Sequence, residues 1–116
     1  MKQRDTEILE KMIRYCNEIN SIVNNCDYDI FAEDYKINYS CSFALLQIGE
    51  LVNKLSPDVK DSNPQIMWRG VRDFRNIVAH EYENIDMSRF WNIVKEAVPE
   101  LLEYITKILQ DEDTKD

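Results

Sequence analysis

Apolar residues fall at three- and four-residue steps along most of this chain, the rhythm of helices with one buried face. In the first stretch Ile8, Met12, Tyr15, Ile19 and Ile22 recur in that period, with Leu9, Cys16 and Val23 alongside. Asp5 or Thr6 can cap its start, and Asn24-Asn25 ends it. A second helix is expected from Tyr28 or Asp29 to Leu55, its later half carrying Cys41, Ala44, Leu45, Ile48, Leu51, Val52 and Leu55. Ser56-Pro57 stops it, because the residue before a proline is pushed out of the α region. After a short polar connector, Asn63-Pro64 reads as an N-cap with proline at the first helical position.

The third helix then turns Met67, Val71, Phe74 and Val78 inward and runs to His80 or Tyr82. Asp86 can cap a fourth, with Phe90, Ile93, Val94, Ala97, Leu101, Leu102, Ile105 and Ile108 on its apolar face. Pro99 sits inside that pattern and predicts a kink or a division in two. Short connections make the four helices an antiparallel bundle, so the expected fold is all-α. Residues 1–110 are expected to form a single domain, with 111–116 an acidic, frayed tail.

Composition narrows this further. The length of 116 residues is enough for one core without disulfide staples, and 44% apolar with 31% charged content is that of a globular protein. No apolar run reaches membrane-spanning length, and Met1-Lys2-Gln3-Arg4-Asp5 has no apolar signal-like stretch. Cys16, Cys26 and Cys41 are odd in number and lack metal-ligand spacing. They are expected to be reduced thiols of a cytoplasmic protein.

The net charge of −8 excludes broad coating of nucleic acid, which needs a basic surface. The charge is unevenly spread, however. Between Asn63 and His80, Arg69, Arg72 and Arg75 stand against Asp73 alone, a local +2 on a body carrying −10. Such a spot suits a focused site for one or two phosphates, although any one of these arginines can equally serve a surface ion pair.

The most informative residues lie there, in Arg75-Asn76-Ile77-Val78-Ala79-His80-Glu81-Tyr82, which holds the only histidine of the chain. Histidine is the side-chain type that titrates nearest neutrality, and arginine presents a fixed fork of donors matched to phosphate oxygens. The alternatives for His80 are a capping or buried role, and for Tyr82 plain packing. Arg75 and Tyr82, seven apart, nearly coincide on a helix, on a stripe with Arg72, Asn76 and Ala79. Arg75 and His80, five apart, diverge by about 140°. Either the helix ends or deforms near His80, or a second copy of the chain completes the site. Glu81 and Glu83 flank Tyr82 and are the carboxylates to consider for a metal, with spacing as their sole support. No glycine-rich phosphate loop or nucleophile elbow is present.

At these residues the chain resembles the HEPN superfamily, specifically its HepT-like branch of toxins. The superfamily motif is arginine, a polar residue, a short spacer and histidine, here Arg75-Asn76-Ile77-Val78-Ala79-His80. The HepT-like form adds a tyrosine two positions on, supplied by Tyr82. Leu46-Gln47-Ile48-Gly49-Glu50 resembles an IGE segment of that branch, and Trp68-Arg69-Gly70-Val71-Arg72-Asp73-Phe74 its lead-in to the motif helix. Glu81-Tyr82-Glu83-Asn84-Ile85-Asp86 and Val98-Pro99-Glu100-Leu101 resemble the segments that follow.

The resemblance implies a homodimeric, metal-independent endoribonuclease that needs no cofactor. Arg75 would hold the scissile phosphate, with Arg69 and Arg72 as further RNA-phosphate contacts. His80 would assist proton transfer as the 2′-hydroxyl attacks, and Asn76 would help orient the site. The implied partners are RNA, a second copy, and a minimal nucleotidyltransferase antitoxin that transfers AMP to Tyr82, with no membrane involved. Gly49 and Gly70 then suggest close helix approach, at the dimer interface or elsewhere; for Gly70 the alternative is a simple irregularity near a helix start. Two other readings stand beside this one: a non-catalytic HEPN nucleotide-binding or helical partner of a nucleotidyltransferase, and a structural dimeric bundle.

Overall fold

The computed structural model describes residues 1–113, which are all-helical. Helix α1 (Gln3–Val23) starts ahead of both expected caps, with Lys2 at the N-cap position and no side-chain bond there. Asp5 is instead 2% exposed. Its carboxylate accepts the Ser56 N–H at 2.9 Å and the Ser56 hydroxyl at 2.8 Å, 51 residues away. Burial works against its charged form, but the two Ser56 bonds and nearby Lys2 and Arg4 outweigh that and lower its pKa below 3.8. Asp5→Ala is therefore expected to cost about 2 kcal/mol in urea unfolding at neutral pH. Because the folded pKa is depressed, this contribution is present above the ordinary carboxylate value and fades as pH falls through the folded one. The parent and variant curves should converge in acid.

The long second helix of the sequence reading is divided. Helix α2 (Tyr28–Glu33) and helix α3 (Tyr35–Lys54) meet at Asp34, whose backbone is extended. Its carboxylate accepts the Lys36 N–H at 3.0 Å, as Asp27 accepts that of Ile30 at 2.9 Å, so each aspartate begins a helix. The expected polar connector holds helix α4 (Pro57–Ser62), with Pro57 in its first turn. Asn63 ends this helix rather than starting the next. Its Nδ2 donates back to the Val59 carbonyl at 2.8 Å.

Helix α5 (Trp68–Arg72) and helix α6 (Phe74–Asn84) replace the single third helix, with the break at Asp73. Val71, Phe74 and Val78 are buried as expected, but Met67 is 78% exposed. It lies before the helix, where the apolar period does not reach. Helix α6 outruns the expected end and is closed at Ile85, which takes a left-handed conformation with φ 55°.

Met87, rather than the expected Asp86, holds the N-cap position of the next helix and makes no side-chain bond there; Asp86 lies one residue earlier, accepting the Ser88 N–H at 2.9 Å and the Ser88 hydroxyl at 2.6 Å. These bonds lower its pKa. Helix α7 (Ser88–Asn92) leads through a π-helical turn, Ile93–Ala97, into helix α8 (Val98–Asp113). The Val98 N–H bonds to Ile93 O, five residues back. Proline has no N–H for the usual bond, and the wider turn just before Pro99 absorbs the misfit without ending the helix. Helix α8 takes in the first three residues of the acidic tail. The remainder of the expected frayed segment, 114–116, lies outside the described residues.

Helix α1 packs mainly on α3 and α8. Between them lie Leu9, Met12, Cys16 and Ile19 from α1, Leu45, Ile48 and Val52 from α3, and Val98 and Ile105 from α8. Tyr15 and Ile22, at the margin of the α1 stripe, are only partly buried. All three cysteines are free, and burial pushes the Cys16 and Cys41 thiols up to about 12. Gly49 has a local reason. A Cβ there would stand 3.1 Å from the Arg72 carbonyl oxygen, so α3 passes against the end of α5 within one chain. At Gly70 the nearest atom is 3.7 Å away, ordinary contact, so no close approach within the chain requires that glycine. No described helix is long and apolar enough to cross a membrane.

Candidate active site

Helix α6 buries Phe74, Val78 and Glu81 and leaves Arg75, Asn76, Ala79 and His80 exposed. The apolar positions at four-residue spacing seat the helix, and Arg75, Asn76 and His80 are carried on its free side. The helix runs without a break through His80 to Asn84. That removes one of the two ways in which Arg75 and His80 could share a target, since a regular helix keeps them about 140° apart.

Arg75 and Arg69 have no ion-pair partner among the described residues, while Arg72 stands 3.9 Å from Asp73. An exposed arginine without a carboxylate is ready to receive an anion. Among the described residues His80 has a polar neighbour, Asn84, that sequence reading passed over. Asn84 Nδ2 lies 3.2 Å from His80 Nε2 and 3.4 Å from Nδ1, and donates to the His80 carbonyl at 2.8 Å. The four-residue step between them was the available signal.

Tyr82 is half-buried and faces α3 rather than solvent. Its hydroxyl donates to Asn38 Oδ1 at 2.6 Å and lies 3.1 Å from Ser42 Oγ. Burial pushes its pKa above 10.0 despite the Ser42 bond, so the phenol is a donor at neutral pH. Asn38 is 2% exposed, and its Nδ2 donates to the Phe31 carbonyl at 2.9 Å. It thereby joins the end of α2 to Tyr82. The Tyr82 ring sits edge-on to Phe90 inside and Tyr39 outside, with centroids 6.0 and 5.9 Å apart. Asn38 and Ser42 are 44 and 40 residues from Tyr82, and no local spacing marks them.

The carboxylates beside Tyr82 do not act together. Glu81 is buried, and its Oε1 accepts the Arg89 N–H at 2.8 Å, which fixes the start of α7. Glu83 is exposed. Among the described residues no three His, Cys, Asp or Glu side chains are grouped to hold a metal ion. A cavity of about 600 Å³, lined by Met1, Asp5, Ser56 and Glu112 among others, includes none of the motif residues.

An all-helical chain that carries arginine, four residues and histidine on the free side of one helix, with a tyrosine two positions on turned against a neighbouring helix, is a protein of the HEPN class. The chain belongs to the HepT-like ribonuclease family, whose model, described as ribonuclease HepT-like, matches residues 12–108. A candidate RNase of Methanocaldococcus jannaschii is 28% identical over 117 residues, covering 100% of this chain and 97% of that protein. A second from the same organism is 31% identical over 102 residues, with 87% and 94% covered. A candidate ribonuclease HepT of Thermococcus cleftensis is 29% identical over 101 residues, with 87% and 92% covered. No solved structure matches the chain.

Proposed function

We propose that this chain is a metal-independent endoribonuclease working as a homodimer of antiparallel HEPN-type bundles. The observation that carries the dimer is the unbroken α6: with Arg75 and His80 diverging on one copy, a complete site takes residues from two. Around a two-fold axis the pair would provide two fixed cations and two imidazoles. Arg75 grips the scissile phosphate and stabilises the charge that develops on it. His80 assists as the 2′-oxygen bonds to phosphorus and the 5′-oxygen departs with a proton, leaving a cyclic phosphate. Asn76, exposed beside Arg75, helps orient the phosphate.

In the same reading the protein is the cytoplasmic toxin of a pair whose nucleotidyltransferase antitoxin places AMP on Tyr82. Negative charge added two residues from His80 would occupy ground that an RNA phosphate needs. The Tyr82 hydroxyl is bound to Asn38, so its modification requires the ring to leave that partner first. Tyr82→Phe is expected to take up no AMP when co-expressed with such an antitoxin, by intact mass, and to stay active. AMP uptake by Tyr82→Phe would move the modification site elsewhere.

The deciding experiment is cleavage of messenger and transfer RNA by purified protein in EDTA, with intact mass verifying that Tyr82 carries no adduct. Cleavage supports the reading. Its absence with dimeric, unmodified protein would favour the non-catalytic partner of a nucleotidyltransferase.

A further inference from the structure

The outward face of α3 carries Tyr35, Tyr39 and Phe43, which are 61%, 60% and 58% exposed. They stand four residues apart, so on a helix they form a ladder with a step of about 6 Å. The Tyr35 and Tyr39 ring centroids are 5.6 Å apart, and Tyr39 meets the Tyr82 ring at 5.9 Å. The ladder thus runs into a side chain two residues from His80. Aromatic surface of this extent, left open on a folded chain, marks a contact surface.

Charge decides what kind of contact. From Tyr35 to Gly49 the sequence contains no acid, and its one charged residue is Lys36. The motif segment beside it, Asn63 to His80, carries a net +2. Exposed Glu33, Asp34 and Glu50 bound the first segment, but along the ladder between them a polyanion meets no acid, in a chain of net charge −8. Affinity for such a polymer has to come from contacts that do not depend on a basic surface. Stacking of bases on aromatic rings is one, and it tolerates any base sequence.

We propose that Tyr35, Tyr39 and Phe43 form a stacking platform for unpaired RNA bases, leading the strand along α3 toward Tyr82 and the exposed Arg75 and His80. This rests on the reading of the chain as an RNA-cleaving protein. The rings hold the bases while Arg75 takes the phosphate, which divides recognition between two helices.

The test is fluorescence anisotropy of the full chain with a labelled 2′-O-methyl RNA octamer, which cannot be cleaved, and with an abasic octamer of the same backbone. The parent should bind the base-bearing strand at least about tenfold more tightly. Tyr39→Ala combined with Phe43→Ala should weaken that binding by roughly tenfold per ring and erase the preference over the abasic strand. Tyr39→Phe, which keeps the ring, should bind as the parent does. Sedimentation velocity is run on each variant. A double alanine variant that binds like the parent overturns the platform. So does one that alters the oligomeric state, because the face would then lie between copies. If the parent cleaves RNA but does not distinguish base-bearing from abasic strands, the platform falls and the ribonuclease reading stands. If it neither cleaves nor binds RNA, both fall.

Discussion

Replacing His80 by alanine is expected to lower the rate of RNA cleavage by at least about 100-fold, the usual contribution of a positioned proton-transfer group. The fold should hardly notice. His80 is exposed, and among the described residues its one polar side-chain neighbour is Asn84, itself exposed at the last position of α6. Surface substitutions of this kind stay within about 0.5 kcal/mol, so the urea midpoint should remain close to the parent's. Arg75→Ala should cost a similar factor in rate, because removing one preorganised donor to a developing charge costs about 100- to 1,000-fold. Arg75→Lys should recover only part of it, since an ammonium keeps the charge but loses the paired donors. Single-turnover cleavage in EDTA measures both effects. A His80→Ala protein that cleaves at the parent rate would remove His80 from the chemistry.

The largest effect on stability is expected at Asn38. Asn38→Ala leaves the Phe31 carbonyl without its 2.9 Å donor and the Tyr82 hydroxyl without its 2.6 Å acceptor, both near a side chain that is 2% exposed. An unmet carbonyl in such a place costs about 1–3 kcal/mol, and the Tyr82 hydroxyl is left with Ser42 Oγ alone at 3.1 Å, so a loss of up to about 3 kcal/mol is expected in urea unfolding. That is a large share of the roughly 5–15 kcal/mol that holds a domain of this kind together. The distinguishing sign is local. With its partner gone, the Tyr82 ring should lose order against Phe90 and Tyr39, visible as averaged aromatic resonances at a temperature where the rest of the chain stays folded. An Asn38→Ala protein with parental stability and a fixed Tyr82 ring would refute the role of this side chain.

The helical period was legible because burial sets it. Leu9, Met12, Cys16 and Ile19, or Leu45, Ile48 and Val52, repeat because one side of each helix is covered. What the period could not show is where the backbone breaks inside it. Asp34 interrupts no apolar rhythm, yet its extended backbone and its carboxylate on the Lys36 N–H separate α2 from α3. Asn63-Pro64 has the composition of a helix start, but the bond from Asn63 to Val59 assigns it to the end of α4. Asp5 read as a local cap because sequence shows only neighbours, and its partner Ser56 is 51 residues off.

The site divides in the same way. The placing of Arg75, His80 and Tyr82 on one helix was legible from spacing, as was the conflict of direction between the first two, while the roles proposed for them came from the family resemblance. Asn38 and Ser42, which hold Tyr82, belong to another helix, and only the packing of α3 on α6 brings them together.

The unbroken run of α6 also bears on dosage. Under the shared-site reading a lone chain holds two halves of different sites and completes neither. In dilute solution the number of complete sites rises with the square of chain concentration, so a tenfold dilution removes about 99% of them. Low-level leakage would then be harmless without any inhibitor, and the association constant of the pair would set the level at which killing begins.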